Sequence, residues 1–449
     1  MAKMRGAEAL PPRLKNLRHH LDLFPESRQT VSTRGGLVAA LAVAVGVVVT
    51  LLRLSGPAPT RTLYGEDGKI FLSESVLKSG IGAWTSGYNG YIHVVPRGVA
   101  ALAAPFGLDA APAVFAITSA IVLSLLALLV FWASDAYIRS TPVRVLLAVS
   151  LVALPVGQSE VYANSANLHW YFVFASFWVL LWNPARNWEL AVGCVVVLLA
   201  GLSDPLTVLL LPIVLLRLVV LSRRGRGQLP SLAFAVGLAI QFLGMMLTQT
   251  DRPFAEYANP LKLPFWFLFH VGGRSALGSR VLDDQTAATL AVSVVIVVAM
   301  AVVVWFGVRP ISSGRAQVAL LAIVSAGAFY ALSVFLTGLA APRYEALPVL
   351  LVYSAVALGV DGILQGVRST PVRALAAVLV VVVMAGWVVG LRFSSSRSVG
   401  PTWHTALERA ADACRASGDR LTRIEIVPHD GFWTVVLPCS RVIDAASGS

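Results

Sequence analysis

Long apolar runs alternate with short polar connections along most of this chain. Runs near 36–54, 112–133, 143–157, 168–182, 190–203, 205–221, 230–248, 287–306, 316–336, 346–361 and 373–391 approach the roughly 20 residues that a helix needs to cross a bilayer. The pattern predicts an all-α polytopic membrane protein with about eleven transmembrane helices. The pair at 190–203 and 205–221 is interrupted by "SDP" and reads as one broken hairpin. Two segments, 55–111 and 249–286, depart from the alternation. In the first, "KIFLSESVLKSG" sets Ile70, Phe71, Val76 and Leu77 on one face of a short interfacial helix. In the second, "LPFWFLFHV" is too short to span and suits a re-entrant or interfacial segment. Beyond 391 the pattern changes. "PTWHTALERAADACRASGD" reads as a helix capped by Thr402, and "RIEIVPHDGFWTVVLPCSRV" as two short strands about a turn. The chain thus divides into a basic segment 1–35, a membrane region 36–391 and a small α/β tail 392–449.

Charge supplies the orientation. With the N-terminus inside, the inner connections carry Arg139, Arg186, Arg223, Arg224, Arg226, Arg309, Arg315 and Arg368. The opposite connections near 158–167 and 204 carry no lysine or arginine, as cytoplasmic retention of positive charge requires. An odd number of spans then puts the tail outside, with 55–111 and 249–286. The first run follows a polar stretch and precedes no small-residue cleavage site, so it reads as a retained helix. Hydrophobic residues make up 57% of the chain and charged ones 13%, with a mean hydropathy of +0.76; a soluble domain is much more charged. Much of the net charge of +12 sits in the N-terminal stretch and the inner loops. No aromatic-interleaved basic strand or zinc spacing accompanies it, which argues against nucleic acid. The alanine, valine, leucine and arginine usage suggests the cytoplasmic membrane of a high-GC bacterium. Of three cysteines, Cys194 falls inside a span as a small hydrophobe. Cys414 and Cys439 share the exposed outer tail, which implies a disulfide.

Polar chemistry gathers on the outer side. "TRTLYGEDGK" places Glu66 next to Asp67, either as acids at a helix N-terminus or with one as a general base. "PVGQSEVYANSANLHWYF" gathers Gln158, Glu160, Tyr162, Asn164, Asn167 and His169 at a span end, a pattern suited to ligand contact. Tyr162, Trp170 and Tyr171 also fit headgroup anchors. In "GLSDPLT", Ser203 or Asp204 can cap a helix that has Pro205 at its first position. Arg343, in "LAAPRYEALP", is the one basic residue of its outer connection. It either snorkels to lipid phosphate or holds a substrate phosphate bidentately. Tyr344 and Glu345 flank it, and Arg252, Lys262, His270, Arg274 and Arg280 add outer positive charge.

The chain resembles the superfamily of polytopic glycosyltransferases of the GT-C fold, which use polyprenyl-phosphate sugars. "YGEDGK" is similar to the acidic motif of their first outer loop, and "APRYEALP" to an arginine–tyrosine–proline segment before a late span. The resemblance covers roughly 36–391 and points to no single subfamily. It implies a GT-C-like fold with interfacial helices on the outer face. It also implies transfer of a sugar from a polyprenyl-phosphate donor to a lipid-linked or glycan acceptor of the cell envelope. Asp67, or less favourably Glu66, would take the acceptor proton. Arg343, with Arg274 or Arg280, would meet the leaving phosphate. Glu160, Asn164, Asn167, His169, Tyr344 and His270 would contact sugar or acceptor. One displacement implies inversion. No further oxygen ligands accompany the acidic pair, so no obligatory metal or other cofactor is expected. The rival reading is a transporter or flippase of a lipid-linked or small polar substrate. The chain shows no clear internal repeat and has its polar clusters on one side, which favours an enzyme. A membrane acyltransferase would want a histidine base, for which His93, His169 and His270 are available.

Overall fold

The computed structural model describes residues 23–27, 33–56, 58–78, 80–221, 225–248, 258–310, 313–391, 397 and 399–447. Most of the basic N-terminal segment, with Arg223, Arg224 and Arg252, lies outside them. The helices begin with α1 (Thr33–Leu52), α2 (Val94–Ala103), α3 (Ala111–Ala133), α4 (Thr141–Ala153), α5 (Leu168–Leu181) and α6 (Asn187–Gly201). They continue with α7 (Leu211–Val220), α8 (Leu229–Leu247), α9 (Ala287–Gly307), α10 (Gly314–Thr337), α11 (Ala346–Gly366) and α12 (Thr370–Val389). The tail holds α13 (Trp403–Ser417), β1 (Leu421–Glu425), β2 (Thr434–Pro438) and α14 (Cys439–Ser447).

The expected eleven spans are not what the chain forms. Among the described residues, 7 helices are long and apolar enough to cross a membrane: α1, α3, α8, α9, α10, α11 and α12. The runs at 143–157, 168–182, 190–203 and 205–221 form α4, α5, α6 and α7, which hold 13, 14, 15 and 10 residues. At 1.5 Å per residue α6, the longest α-helix of the four, reaches only about 22 Å, against a ~30 Å hydrocarbon core. Local sequence stops the first three. Pro155 disfavours helix at Leu154. Pro184 follows the end of α5. Asp204 turns the chain after α6, accepting from Leu206 N at 2.8 Å.

Burial explains why these helices read as spans. Every residue of α5 is buried, so this helix is apolar on all sides without facing lipid. Its C-terminal carbonyls end away from water and need donors. Buried Arg217 supplies them, donating from Nη1 to Leu180 O at 2.6 Å and Trp182 O at 2.7 Å. Arg53 does the same for α4, reaching Val152 O at 2.7 Å and Leu154 O at 2.8 Å. Close backbone packing joins α9 to α11. A Cβ at Gly362 would lie 1.8 Å from the Gly307 carbonyl oxygen, so only glycine fits.

The expected interfacial helix near Lys69 is a π-helical turn, Asp67–Leu72, that runs into an α-helical turn, Ser73–Leu77. Phe71 and Leu72 point into a core, and Leu77 stays exposed. That core is shared with the tail: Trp403, Leu407, Ala411, Ile424, Val435 and Leu437 pack with Leu63, Phe71, Leu72 and Phe115. The tail strands pair antiparallel, with Leu421 opposite Pro438. Cys414 and Cys439 are joined as expected, and Cys194 is a free thiol. Gly65 N donates to Val427 O at 2.8 Å and Val427 N to Leu63 O at 3.3 Å. The tail is therefore mounted directly on the acidic motif.

Candidate functional site

Residues 63–67 form the floor of the site. Gly65 adopts φ +48, with the Trp433 ring 3.7 Å from where its Cβ would be. This bend sends the next two carboxylates in different directions. Asp67 is 2% exposed. Its Oδ1 accepts from Ser165 Oγ at 2.6 Å and Ala166 N at 3.0 Å, and its Oδ2 from Ser165 N at 2.9 Å. Burial pushes the carboxyl up to about 6, and the Ser165 and Ala166 hydrogen bonds with the Arg397 charge hold it from rising further. Glu66 is only half-buried. It accepts from the half-buried Tyr88 hydroxyl at 3.1 Å. Burial, with Glu66 alongside, raises the Tyr88 phenol well above its ordinary value.

The polar turn 157–167 closes over Asp67. It starts at Gly157, with φ +65, and passes through Ala163, whose φ of +48 is uncommon for a residue with a Cβ. Buried Arg397 holds that strained stretch, donating to Tyr162 O at 3.0 Å and Ala163 O at 3.4 Å. Its guanidinium also lies 5.0 Å from the Tyr64 ring. Burial lowers Arg397 to about 10. Asn164 and Asn167 serve the turn itself: Asn167 N donates to Asn164 Oδ1, and Asn167 Nδ2 to Glu160 O.

From Glu66 a run of rings leads to Arg343. Tyr88 lies 5.7 Å from His93, His93 5.1 Å from His169, His169 4.2 Å from Trp170, and Trp170 6.0 Å from Tyr344. The Arg343 guanidinium sits 4.9 Å from the Tyr344 ring centroid. Its Nη1 donates to Glu160 Oε2 at 2.7 Å, a partly exposed pair. A Cβ at Gly157 would come 3.2 Å from Pro342 O, so the Arg343 segment is seated on the start of the turn. Within the run, His93 Nε2 is 2.9 Å from Ala166 O, and His169 Nδ1 is 2.7 Å from Asp204 Oδ2. Burial, reinforced by the neighbouring His169 ring, holds His93 well below its ordinary value.

Glu66, Asp67, Glu160, Asn164, Asn167, His169, Arg343 and Tyr344 are thus brought together. Arg274 and His270 join through Glu345. Arg274 Nη1 is 2.7 Å and His270 Nδ1 2.9 Å from Glu345 Oε1. Arg274 also donates to Leu282 O and Asp283 O. Arg280 turns away to donate to Val389 O at the end of α12. Sequence reasoning missed Ser165, Tyr88 and Arg397. It read Asp204 as a helix cap, which it is, without its histidine. These are partnerships across long separations, and no local pattern signals them. Among the described residues, no three His, Cys, Asp or Glu side chains gather as a metal-holding group.

No protein-family profile and no curated protein matches the chain. Among solved structures it is similar to the Archaeoglobus fulgidus oligosaccharyltransferase in complex with zinc and sulfate. Identity is 11%, with 83% of this chain and 55% of that one covered and a TM-score of 0.45. A structure of the same enzyme tethered to an acceptor peptide containing the NVT sequon gives 11% identity, 84% and 57% coverage and a TM-score of 0.41. The likeness is distant. The chain spans about half the length of that enzyme. A likeness at this level assigns no roles, and those proposed below rest on the site's own geometry.

Proposed function

We propose that this protein transfers a sugar from a polyprenyl-phosphate donor to a cell-envelope acceptor, with inversion, at the outer face of the bacterial cytoplasmic membrane. The observation that carries this reading is the placement of a half-buried carboxylate, Glu66, and a partly exposed guanidinium, Arg343, at the two ends of one run of neighbouring rings. Aromatic rings bind sugar faces, and separated charges suit a reaction that takes a proton at one end and develops phosphate charge at the other.

A general base must first reach the proton it removes. Glu66 has that reach, whereas both Asp67 oxygens are enclosed by Ser165 and Ala166. We therefore assign the base role to Glu66 and a positioning role to Asp67, the reverse of the order expected from the sequence. Glu66 takes the proton of the acceptor hydroxyl as that oxygen bonds to the anomeric carbon. The bond from that carbon to the phosphate oxygen breaks, and the electron pair leaves with prenyl phosphate. Arg343 meets that charge. Arg274, already paired with Glu345, supports the Tyr344 segment, and Arg280 lies at the lipid edge.

The test is transfer by the purified full chain in lipid vesicles, from a synthetic prenyl-phosphate sugar to extracted envelope acceptor. Release of prenyl phosphate together with a glycosylated acceptor is expected. Movement of the lipid-linked sugar between leaflets, with no bond broken across a panel of sugars, would replace this reading with a flippase.

A further inference from the structure

We propose that binding of the donor phosphate loads a proton onto His169, so that its imidazolium, held by Asp204, is a second, pH-gated cation on the ring run that ends at Arg343. The proposal rests on the donor reading above. Three observations carry it. First, His169 Nδ1 is committed to Asp204 at 2.7 Å inside the protein, which fixes the ring and leaves Nε2 as its working atom. Among the described residues Nε2 has no hydrogen-bond partner, and the side chain keeps about 10% of its surface exposed. Second, the ring is one residue from Trp170, which touches Tyr344, which carries Arg343 on its face. Third, the site is short of positive charge. Arg343 is answered by Glu160, and Arg397 is spent on backbone carbonyls. Glu66, Asp67 and Asp204 add further carboxylates.

An anionic phosphate arriving there gains from any added cation. With Nδ1–H donated to Asp204, neutral His169 presents a lone pair at Nε2, which repels a phosphate oxygen. One proton from solvent turns it into a charged donor whose other ring N–H is held by the Asp204 carboxylate. The other titratable groups around the ring are His93 and, one ring farther, Tyr344, Arg343 and Glu160 on one side and Tyr88, Tyr91 and Glu66 on the other. Asp67 lies beyond Ala166, and Arg97 acts on His93. Burial keeps His93 neutral, so it does not compete for the proton.

The experiment measures binding of a prenyl methyl phosphate to the full chain in detergent, from about pH 5.5 to about pH 8.5. This diester keeps one negative charge throughout, so only the protein titrates. Affinity should fall by up to about tenfold per unit on the alkaline side of the imidazole range. His169→Gln should bind weakly with a flat profile. Asp204→Asn should move the fall to lower pH while keeping the cap on Leu206, and it carries the test if His169→Gln does not fold. A flat wild-type profile, a slope that survives in His169→Gln, or an unmoved slope in Asp204→Asn overturns the inference; provided Arg343→Ala still abolishes binding, the donor reading stands. Absence of wild-type binding at every pH overturns both.

Discussion

Asp67 and Ser165 are hydrogen-bonded twice across 98 residues of sequence, from the serine amide at 2.9 Å and from its hydroxyl at 2.6 Å. The carboxyl is nonetheless pushed up to about 6, because burial outweighs those donors. Its folded value thus lies above its unfolded one, and the folded state binds the proton more tightly. The stabilising effect of protonation is fully present below about pH 4 and is lost as pH rises to about 6. At neutral pH the buried charge costs about 3 kcal/mol relative to acid. The thermal midpoint in detergent should therefore fall between about pH 4 and pH 6.5, and less steeply in Asp67→Asn. Equal slopes would show that Asp67 is not the group responsible.

Glu66 and Asp67 should separate kinetically. Glu66→Gln keeps the shape and the Tyr88 contact but cannot take a proton, so turnover should fall by about 10²–10⁴ with folding intact. Asp67→Asn places an amide donor against the Ser165 and Ala166 donors and should loosen the turn over 163–167. Its loss of turnover should come with faster amide exchange in that turn. A fully active Glu66→Gln with a folded but inactive Asp67→Asn would restore Asp67 as the base.

The membrane character, the tail helix with its Thr402 cap, the strand pair and the Cys414–Cys439 bond were legible because each rests on local pattern. The span number was not. Hydropathy reports apolar surroundings and cannot tell lipid from protein, so α5, buried on every side, looks like a span. The acidic motif and Arg343 stood out as misfits in their local context. The division of labour between Glu66 and Asp67 did not, since it depends on the bend at Gly65 and on which side the distant 163–167 turn closes.

The tail and the segment around Thr85 should label from the same side of the membrane, because Val427 bonds to Leu63 and Gly65. Gly225 should face the other side. It begins the short turn that leads into α8, and Thr248, just past the far end of α8, donates to Gly90 O. Single cysteines at the exposed Thr85, Arg409 and Gly225, in a chain with Cys194 replaced by alanine, test this with an impermeant thiol reagent on intact cells. Thr85 and Arg409 should react and Gly225 should not. Reaction of Gly225 alone would invert the orientation.

The tail bond should matter to catalysis as well as to stability. Its cysteines are 25 residues apart, and closing such a loop is worth roughly 3 kcal/mol in the chain-entropy model. Lys69 donates to Phe432 O at 2.9 Å, and Val436 N to Ser73 Oγ at 3.0 Å, so a loosened hairpin releases both ends of the turn that carries Asp67. Replacing Cys414 and Cys439 by serine should speed amide exchange across 421–438 and lower turnover, with α11 unaffected. Full turnover in a chain whose hairpin exchanges freely would show that the tail only rests on the motif.

The Arg343–Glu160 pair sets the last expectation. At 2.7 Å, with both side chains partly exposed, it contributes little to folding, about 1 kcal/mol or less. Breaking it should therefore change binding far more than stability. Arg343→Ala should weaken donor-phosphate binding by roughly 2–5 kcal/mol, since the phosphate loses its partner in a partly desolvated place. Arg343→Lys keeps the charge but not the planar fork and should recover only part of that. Glu160→Gln acts in the opposite direction: it leaves the guanidinium in place and removes the carboxylate that competes with the phosphate. Donor affinity should then rise, or at least hold, and its salt dependence should steepen. If Glu160→Gln loses affinity as severely as Arg343→Ala, the carboxylate is orienting the guanidinium rather than occupying it. If neither variant changes donor affinity, Arg343 is a lipid-headgroup anchor and the phosphate is held elsewhere.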